Sequence, residues 1–518
     1  GIQNVLNGAY ANLKNEIEFL GYASGNSYIR HYFQMTEFQS DNICLSGRTT
    51  DVLFEATCYK TNDGLKNLGT LWKLSYSTIF SLNSVISAAK TGQSQLMDQL
   101  IGECYFMRAL LHLNIVTLYA KPYSQGRDNM GVILSTEAGA TPNGRASVGL
   151  VYDQIVADLK KAAELMPKKS PHGLNGGMAS HDAALGLLTR VYLYMGLNDE
   201  VISTYNELLD GASAASKLDP DITTYYTRAT QSSETLFCTA MTLLETAGQS
   251  SIGSMYLKDG MGWGEVYPSA PLLNLMERYP NDLRNSFILP QVNNADKMEI
   301  SFPIPESNGE DFRSCLNVPV TTNTDGKYQF TNDGKTYVVE TEMVNGEYPV
   351  YYINYEGEKV YARITQQMEK RNTYPIYYMS KFSYQDGDPM LSSPVFLRWG
   401  EVLLNAAEAY AKNNDATNAL DIVNTLRTRA GLSGTELFAS ASDHGYASLL
   451  DIVLDERRIE LCFEGHRAID VYRNGMSLNR MYPGVQPWEV IEPTDNKIQY
   501  PIPFTEWSVS GIPQNPGY

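Results

Sequence analysis

The chain has 518 residues, enough to bury a large core and, at roughly 150 residues per domain, to form two to four units. Its 40 basic side chains face 58 acidic ones, a formal charge of −18, which removes the electrostatic footprint for nucleic acid and disfavours adhesion to anionic lipid. No run reaches the roughly 18 apolar residues of a membrane span.

The chain opens at GIQNVLNGAYANL, polar and amphipathic, with no basic n-region or apolar h-region. Either the protein is cytosolic or an export signal has been removed. A polar loop follows, in which Asp41, Asn42, Arg48, Tyr59, Asn62, Asp63 and Asn67 offer a ring and planar hydrogen-bonding groups. Such groups give the directional bonds that sugar hydroxyls or peptide backbones demand, although they also suit an ordinary polar loop. Arg48, Asn67, Tyr59, Asn62 and Asp41 are therefore candidate ligand contacts.

Helical periodicity then dominates. Leu71, Trp72, Leu74, Tyr76, Ile79, Phe80 and Ile86 mark a helix over 68–89, and Leu96, Leu100, Cys104, Met107, Leu111, Ile115 and Leu118 mark its partner over 95–119. Trp72 belongs to the core by this spacing. After a Pro/Gly-rich segment at 121–145, VYDQIVADLKKAAELM predicts a helix closed by Pro167. A hairpin follows, with helices over 181–195 and 200–209, and its turn YMGLND resembles YAKNND further on. The repetition predicts degenerate tetratricopeptide-like units, which need stacked neighbours to bury their apolar faces.

From about Asp219 the pattern changes to short apolar runs punctuated by Gly, Ser, Thr, Asn and Pro. Trp263 in DGMGWGEVYPS is flanked by glycines, so its ring has no local side chain to pack on and is a candidate stacking platform for a pyranose. The bland alternative is a loop tryptophan plugging the scaffold. Alternating residues over 327–361, broken by Asn332-Asp333-Gly334 and Glu356-Gly357-Glu358, predict a small antiparallel meander. It carries Tyr348, Tyr351, Tyr352 and Tyr355, of which alternation sends half inward, and Tyr355 joins the candidate contacts. The excess of 35 Tyr over 16 Phe and 5 Trp favours half-exposed rings that recognise polar ligands. Gln385-Asp386-Gly387-Asp388 resembles half of a calcium loop without the remaining EF-hand spacing. No cofactor is expected, and a structural calcium ion is the one such group this segment leaves open.

Helices resume at Phe396. FLRWGEVLLNAAEAYAKNNDATNALDIVNTLRTRAGL reads as a helical hairpin, with Ala406, Ala407 and Ala409 small enough for close approach of a neighbour. DERRIELCFEGHRAIDVYRNG then concentrates charge, with Glu456, Glu460 and Glu464 four apart and Arg457, Arg458, Arg467 and Arg473 nearby. A catalytic carboxylate pair is conceivable there, but the arginines favour a structural ion-pair network, with His466 as a strut. The six cysteines have no CxxC or CxxH spacing, so neither zinc nor a dense disulfide framework is expected, and a Cys44–Cys58 bridge stays open. No nucleophile elbow, phosphate loop or metal-binding helix occurs. Catalytic and metal-binding residues are expected to be absent.

The blocks EVLLNAAEAY, DERRIELCFEGHRAIDVYRNG and YPIPFTEWSVSGIPQNPGY, supported by LWKLSYSTIFSLNSVI, GECYFMRALLHLNIVTLYAKP and VYDQIVADLKKAAELMP, resemble the SusD/RagB family of outer-membrane nutrient-binding lipoproteins of Bacteroidetes. The resemblance covers nearly the whole chain. It implies a mainly α, tetratricopeptide-like scaffold with an irregular loop-rich half containing small β-hairpins. The expected division is a helical scaffold over 1–210, a ligand-binding region over 211–395, and C-terminal hairpins and tail over 396–518, packed as one body. It further implies a non-enzymatic, surface-exposed lipoprotein of the outer membrane that captures oligosaccharides and delivers them to a SusC-like TonB-dependent transporter. Peptide capture within the same family, a glycoside hydrolase, or a scaffold that binds only its transporter are the alternatives. The motif residues Glu456, Arg457, Glu460, Gly465, Arg467 and Asp470 belong to the scaffold, and the family's ligand contacts vary. The lipid-bearing cysteine of such lipoproteins has no counterpart here, Cys44 lying too far inside, so membrane contact is expected only through an N-terminal anchor absent from this chain.

Overall fold

A computed structural model describes residues 1–51, 54–139, 144–305 and 311–518. Serine caps set the starts of the main scaffold helices. Ser94, Ser147, Ser180 and Ser448 each accept a backbone N–H from the third residue on, opening the helices Gln95–Tyr119, Val148–Leu165, His181–Tyr194 and Leu449–Glu460. The helices Lys66–Ala88 and Gln95–Tyr119 form the expected first pair, and Val148–Leu165 packs on the second of them. The approach is close: a Cβ at Gly102 would lie 2.5 Å from Met166 Cγ and 3.2 Å from the Ala162 carbonyl oxygen.

The helices His181–Tyr194 and Asn198–Leu209 receive the C-terminal hairpin Trp399–Lys412 and Ala416–Arg429, whose Ala406, Ala407 and Ala409 are fully buried. The first C-terminal helix begins at Trp399 rather than Phe396. Residues Val395–Arg398 are instead a strand, paired antiparallel with Thr235–Cys238. Main-chain pairing here overrides a helical side-chain pattern.

The β region is larger than a single meander. Thr321–Thr322, Tyr328–Asn332 and Lys335–Val338 make a three-stranded sheet. Glu340–Val344, Tyr348–Tyr355, Glu358–Met368, Val292–Pro303 and Cys315–Pro319 make a separate five-stranded antiparallel sheet, in that order. The turns are as the sequence requires, with Asp333-Gly334 and Glu356-Gly357 both at positive φ in two-residue hairpins. The β region has its own core around Ile300, Phe302, Phe330, Ile353 and Val360, so it is a compact insertion carried by the scaffold.

The charge cluster is a buried ion-pair network. Arg398 bridges Glu234, Glu460 and Glu464 at 2.8 Å each, Arg427 and Arg284 hold Glu456 at 2.9 and 2.7 Å, and Arg429 adds Glu234 and Glu460. Glu464 lies beyond the end of the helix at Glu460, so the three glutamates do not share one helical face. Burial opposes ionisation, but the surrounding guanidiniums prevail, and both Glu456 and Glu464 are lowered to about 2. His466 Nε2 lies 3.6 Å from Glu401, and burial lowers its pKa to about 4, consistent with a neutral strut. All six cysteines are buried free thiols, so Cys44 and Cys58 are not bridged.

Candidate ligand-binding surfaces

A short antiparallel ladder organises the exposed side of the molecule. Ile43–Leu45 pairs with Val266–Pro268, Leu45 facing Val266, and the Ser46 N–H continues it by donating to the Glu265 carbonyl at 3.1 Å. Arg48 and Trp263 therefore leave the same end of the ladder. The indole is 50% exposed, and its N–H donates to the Gln249 carbonyl at 3.3 Å, which fixes one edge and leaves ring surface to solvent. The loop is tight, since a Cβ at Gly262 would lie 1.6 Å from the Leu257 carbonyl oxygen. Here the glycine is a steric requirement of the turn that presents the tryptophan.

Polar groups surround this end. The Arg48 guanidinium sits over the Phe54 and Phe312 rings at 5.8 and 5.3 Å, which orients an exposed cation. Asp51 pairs with Arg30 at 3.1 Å, and Arg371 lies 3.9 Å from Glu265. Burial pushes the Glu265 carboxyl up, against the opposing pull of Arg371. Asn372 ties the hairpin Lys370–Arg371/Tyr374–Pro375 to this end by donating to the Ser46 carbonyl at 3.0 Å. The result is an open face with one available ring and charged groups of both signs. It suits a hydroxyl-rich ligand that both stacks and hydrogen-bonds.

At the other end of the same ladder a deeper cleft of about 590 Å³ opens between the five-stranded sheet, the segment 267–274 and the C-terminal residues 458–488. Its size falls within the roughly 300–1,000 Å³ of small-ligand sites. Asp41 lies in its lining with Arg458 and Arg467, and Tyr348, Tyr361, Tyr377, Tyr482 and Trp488 supply rings.

A model described as the SusD family matches residues 233–518, and a second, described as starch-binding and associating with the outer membrane, matches residues 3–193. The chain belongs to the SusD family. SusD-like protein P2 of Formosa agariphila is 22% identical over 484 residues, covering 90% of this chain and 83% of that protein. A putative sugar binding protein from Bacteroides vulgatus superposes with a TM-score of 0.72 at 20% identity, covering 100% of this chain and 98% of its own. A SusD superfamily protein from Bacteroides thetaiotaomicron gives 0.71 at 21%, with 99% of each chain covered. At such identities the structural likeness shows the fold. Family membership and the matching descriptions support carbohydrate binding and outer-membrane association at the family level.

In this SusD-family chain the sequence-derived candidates separate. Trp263 and Arg48 share the open face. Asn62 is exposed, but its side chain accepts from the Gly64 N–H, and the adjoining Asp63 binds the Trp507 indole of the C-terminal segment. Asp41 belongs to the cleft, bound by Arg467 at 2.9 Å. The other three are buried and are corrected as surface contacts. Asn67 is fully buried in the first turn of Lys66–Ala88, because its position places it on the helix's inward face. The Tyr59 hydroxyl is enclosed between Gln39 and Tyr472, and Tyr355 stacks in the β-region core, its hydroxyl bound by Asn332. Gln385–Asp388 forms a tight turn, and among the described residues no group of three His, Cys, Asp or Glu is placed to hold a metal. Nor is any described helix long and apolar enough to cross a membrane.

The sequence reading named Asp41 but missed Glu265, Arg371 and the cleft that Asp41 lines. Glu265 stands two residues beyond Trp263, so ladder pairing was the signal that could have found it. The cleft unites segments separated by more than four hundred positions and has no local pattern.

Proposed function

We propose that this protein captures oligosaccharides at the cell surface and delivers them to a SusC-like TonB-dependent transporter, acting as a surface-exposed lipoprotein without catalysis of its own. The observation that carries the reading is Trp263: a half-exposed ring, anchored at one edge, leaving the same end of the ladder as Arg48 in a SusD-family chain. A sugar ring stacks on the indole while Arg48, Arg371 and Glu265 bind hydroxyls. The candidate carboxylate pair offers no competing hydrolytic centre, because Glu456 and Glu460 are buried and clamped by arginine. Their oxygens are engaged in the scaffold rather than turned to a substrate.

The test is incubation of the purified protein with a panel of neutral oligosaccharides, reading retention and cleavage together. Retention without product supports capture. Release of shorter sugars would overturn the non-enzymatic reading, and retention of peptides but no sugar would overturn the ligand class. Co-purification with a SusC-like transporter tests delivery, and its failure from detergent-solubilised outer membranes would remove that step.

A further inference from the structure

We propose that the cleft is a second binding site, selective for saccharides that carry an anionic substituent, a carboxylate or a sulfate ester. Its floor joins Arg458, from the helix Leu449–Glu460, and Arg467, the first residue of the helix Arg467–Arg473, to Asp41, while the other two lining carboxylates, Glu342 and Glu358, stand on the sheet side. Arg467 grips Asp41 through Nε and Nη2 at 2.9 and 3.2 Å. Arg458 spends Nε on the Asn42 side chain at 2.7 Å and Nη2 on the Asp41 carbonyl at 3.0 Å. Among the described residues, no protein acceptor takes a hydrogen bond from Nη1 of either guanidinium.

The side chains are nevertheless nine-tenths and about six-sevenths withdrawn from solvent, at 10% and 14% exposure. Two forks held this way, each with an Nη1 that no described protein group takes, are preorganised donors for an anion. The other charges are already committed. At the rim, Lys359 pairs with Glu342, Glu358 with Arg313, and Arg363 with Glu277. Behind the floor, Asp455 accepts from Tyr446 and Asn345. Desolvation pushes the Asp455 carboxyl up despite the nearby Arg458 and Arg467. The lining carries Lys359, Arg363, Arg458 and Arg467 against Asp41, Glu342 and Glu358, one cation in excess where the whole chain stands at −18.

The walls favour a sugar as the bearer of that anion. Tyr361 at the mouth is 51% exposed, Trp488 is half-buried beneath Arg313 at 4.1 Å, and Ser477, Asn479 and Asn274 add hydroxyl and amide partners. The anion requirement rests on the cleft alone, while the saccharide rests also on the carbohydrate-binding reading above.

Calorimetry on the full chain tests the site with trigalacturonate, its methyl ester, a sulfated galactan trisaccharide, its desulfated form, and hexaglutamate. At least one acidic saccharide is expected to bind roughly tenfold or more tighter than its neutral counterpart, since hydrogen bonds to charged groups differ by that order. Which acid binds separates carboxylate from sulfate. Arg458→Met should abolish the difference while Arg458→Lys retains part of it. Equal binding of acidic and neutral forms, or no binding of either acid, overturns the proposal, as does hexaglutamate binding as tightly as the saccharides. These comparisons on the unaltered protein stand even if a variant fails to fold, and failure of neutral glycans alone would strike the open face, not the cleft.

Discussion

Arg457 and Arg458 are neighbours on one helix, yet they serve opposite surroundings. Arg457 is 1% exposed and bonded to Asp470 at 2.7 Å and Asn405 at 2.8 Å, within the buried network of the scaffold. Arg458 turns the other way, into the cleft, and leaves donors uncommitted. Charge density alone therefore does not distinguish structure from site. What distinguishes them is what each guanidinium faces: Arg457 keeps an unpartnered Nη2 sealed inside the scaffold, whereas Arg458 lines the cleft, where a ligand can reach it.

The sharpest way to break this contrast is to remove one charge from each side. Glu460→Gln leaves Arg398, Arg429 and Arg284 short of a buried partner, and loss of a buried ion-pair member costs about 3–5 kcal/mol. Arg458→Met should cost under about 2 kcal/mol, because cleft water can solvate the groups it leaves. Urea denaturation checks both, and equal losses would erase the distinction.

Protonation sharpens it next. Glu37 accepts from the Gly465 N–H and the Ser40 hydroxyl, yet burial outweighs both and raises it from 4.5 to about 7. A carboxyl raised on folding contributes stability that is full below about 4.5 and lost as pH rises through about 7, some ~3 kcal/mol. Glu456 and Glu464 work in the opposite sense: lowered to about 2, they contribute above about 4.5 and lose that contribution as pH falls through about 2. Glu37→Gln should flatten the decline between pH 4.5 and 7 and leave the acid limb intact. An unchanged neutral limb in denaturation curves would contradict this account of Glu37.

The smallest expected effect belongs to Tyr355. Tyr355→Phe removes one hydrogen bond to Asn332, at 3.1 Å, and should cost about 1 kcal/mol or less in thermal unfolding without altering glycan retention. A loss of retention would return this ring to the binding surface.

Much of the scaffold was legible because helical periodicity is local. The helix over 95–119 was read to its ends, and the DG and EG turns were visible as dipeptides. The strand Val395–Arg398 was not, because its partner Thr235–Cys238 lies far away in sequence. The same limit divided the candidate contacts. Trp263 announced itself through its flanking glycines, whereas Asn67 looked like a loop amide until helix geometry turned it inward. Asp41 was recognisable as polar, but its association with Arg458 and Arg467 depends on tertiary contact across more than four hundred residues.

The central claim is that the open face captures sugar through Trp263. Calorimetry of wild type against Trp263→Ala, with the neutral oligosaccharide most strongly retained from a panel that includes maltoheptaose, tests it directly. The account predicts roughly tenfold weaker binding, in line with the loss of an aromatic platform, at an unchanged unfolding temperature. Unchanged affinity in the variant would contradict it.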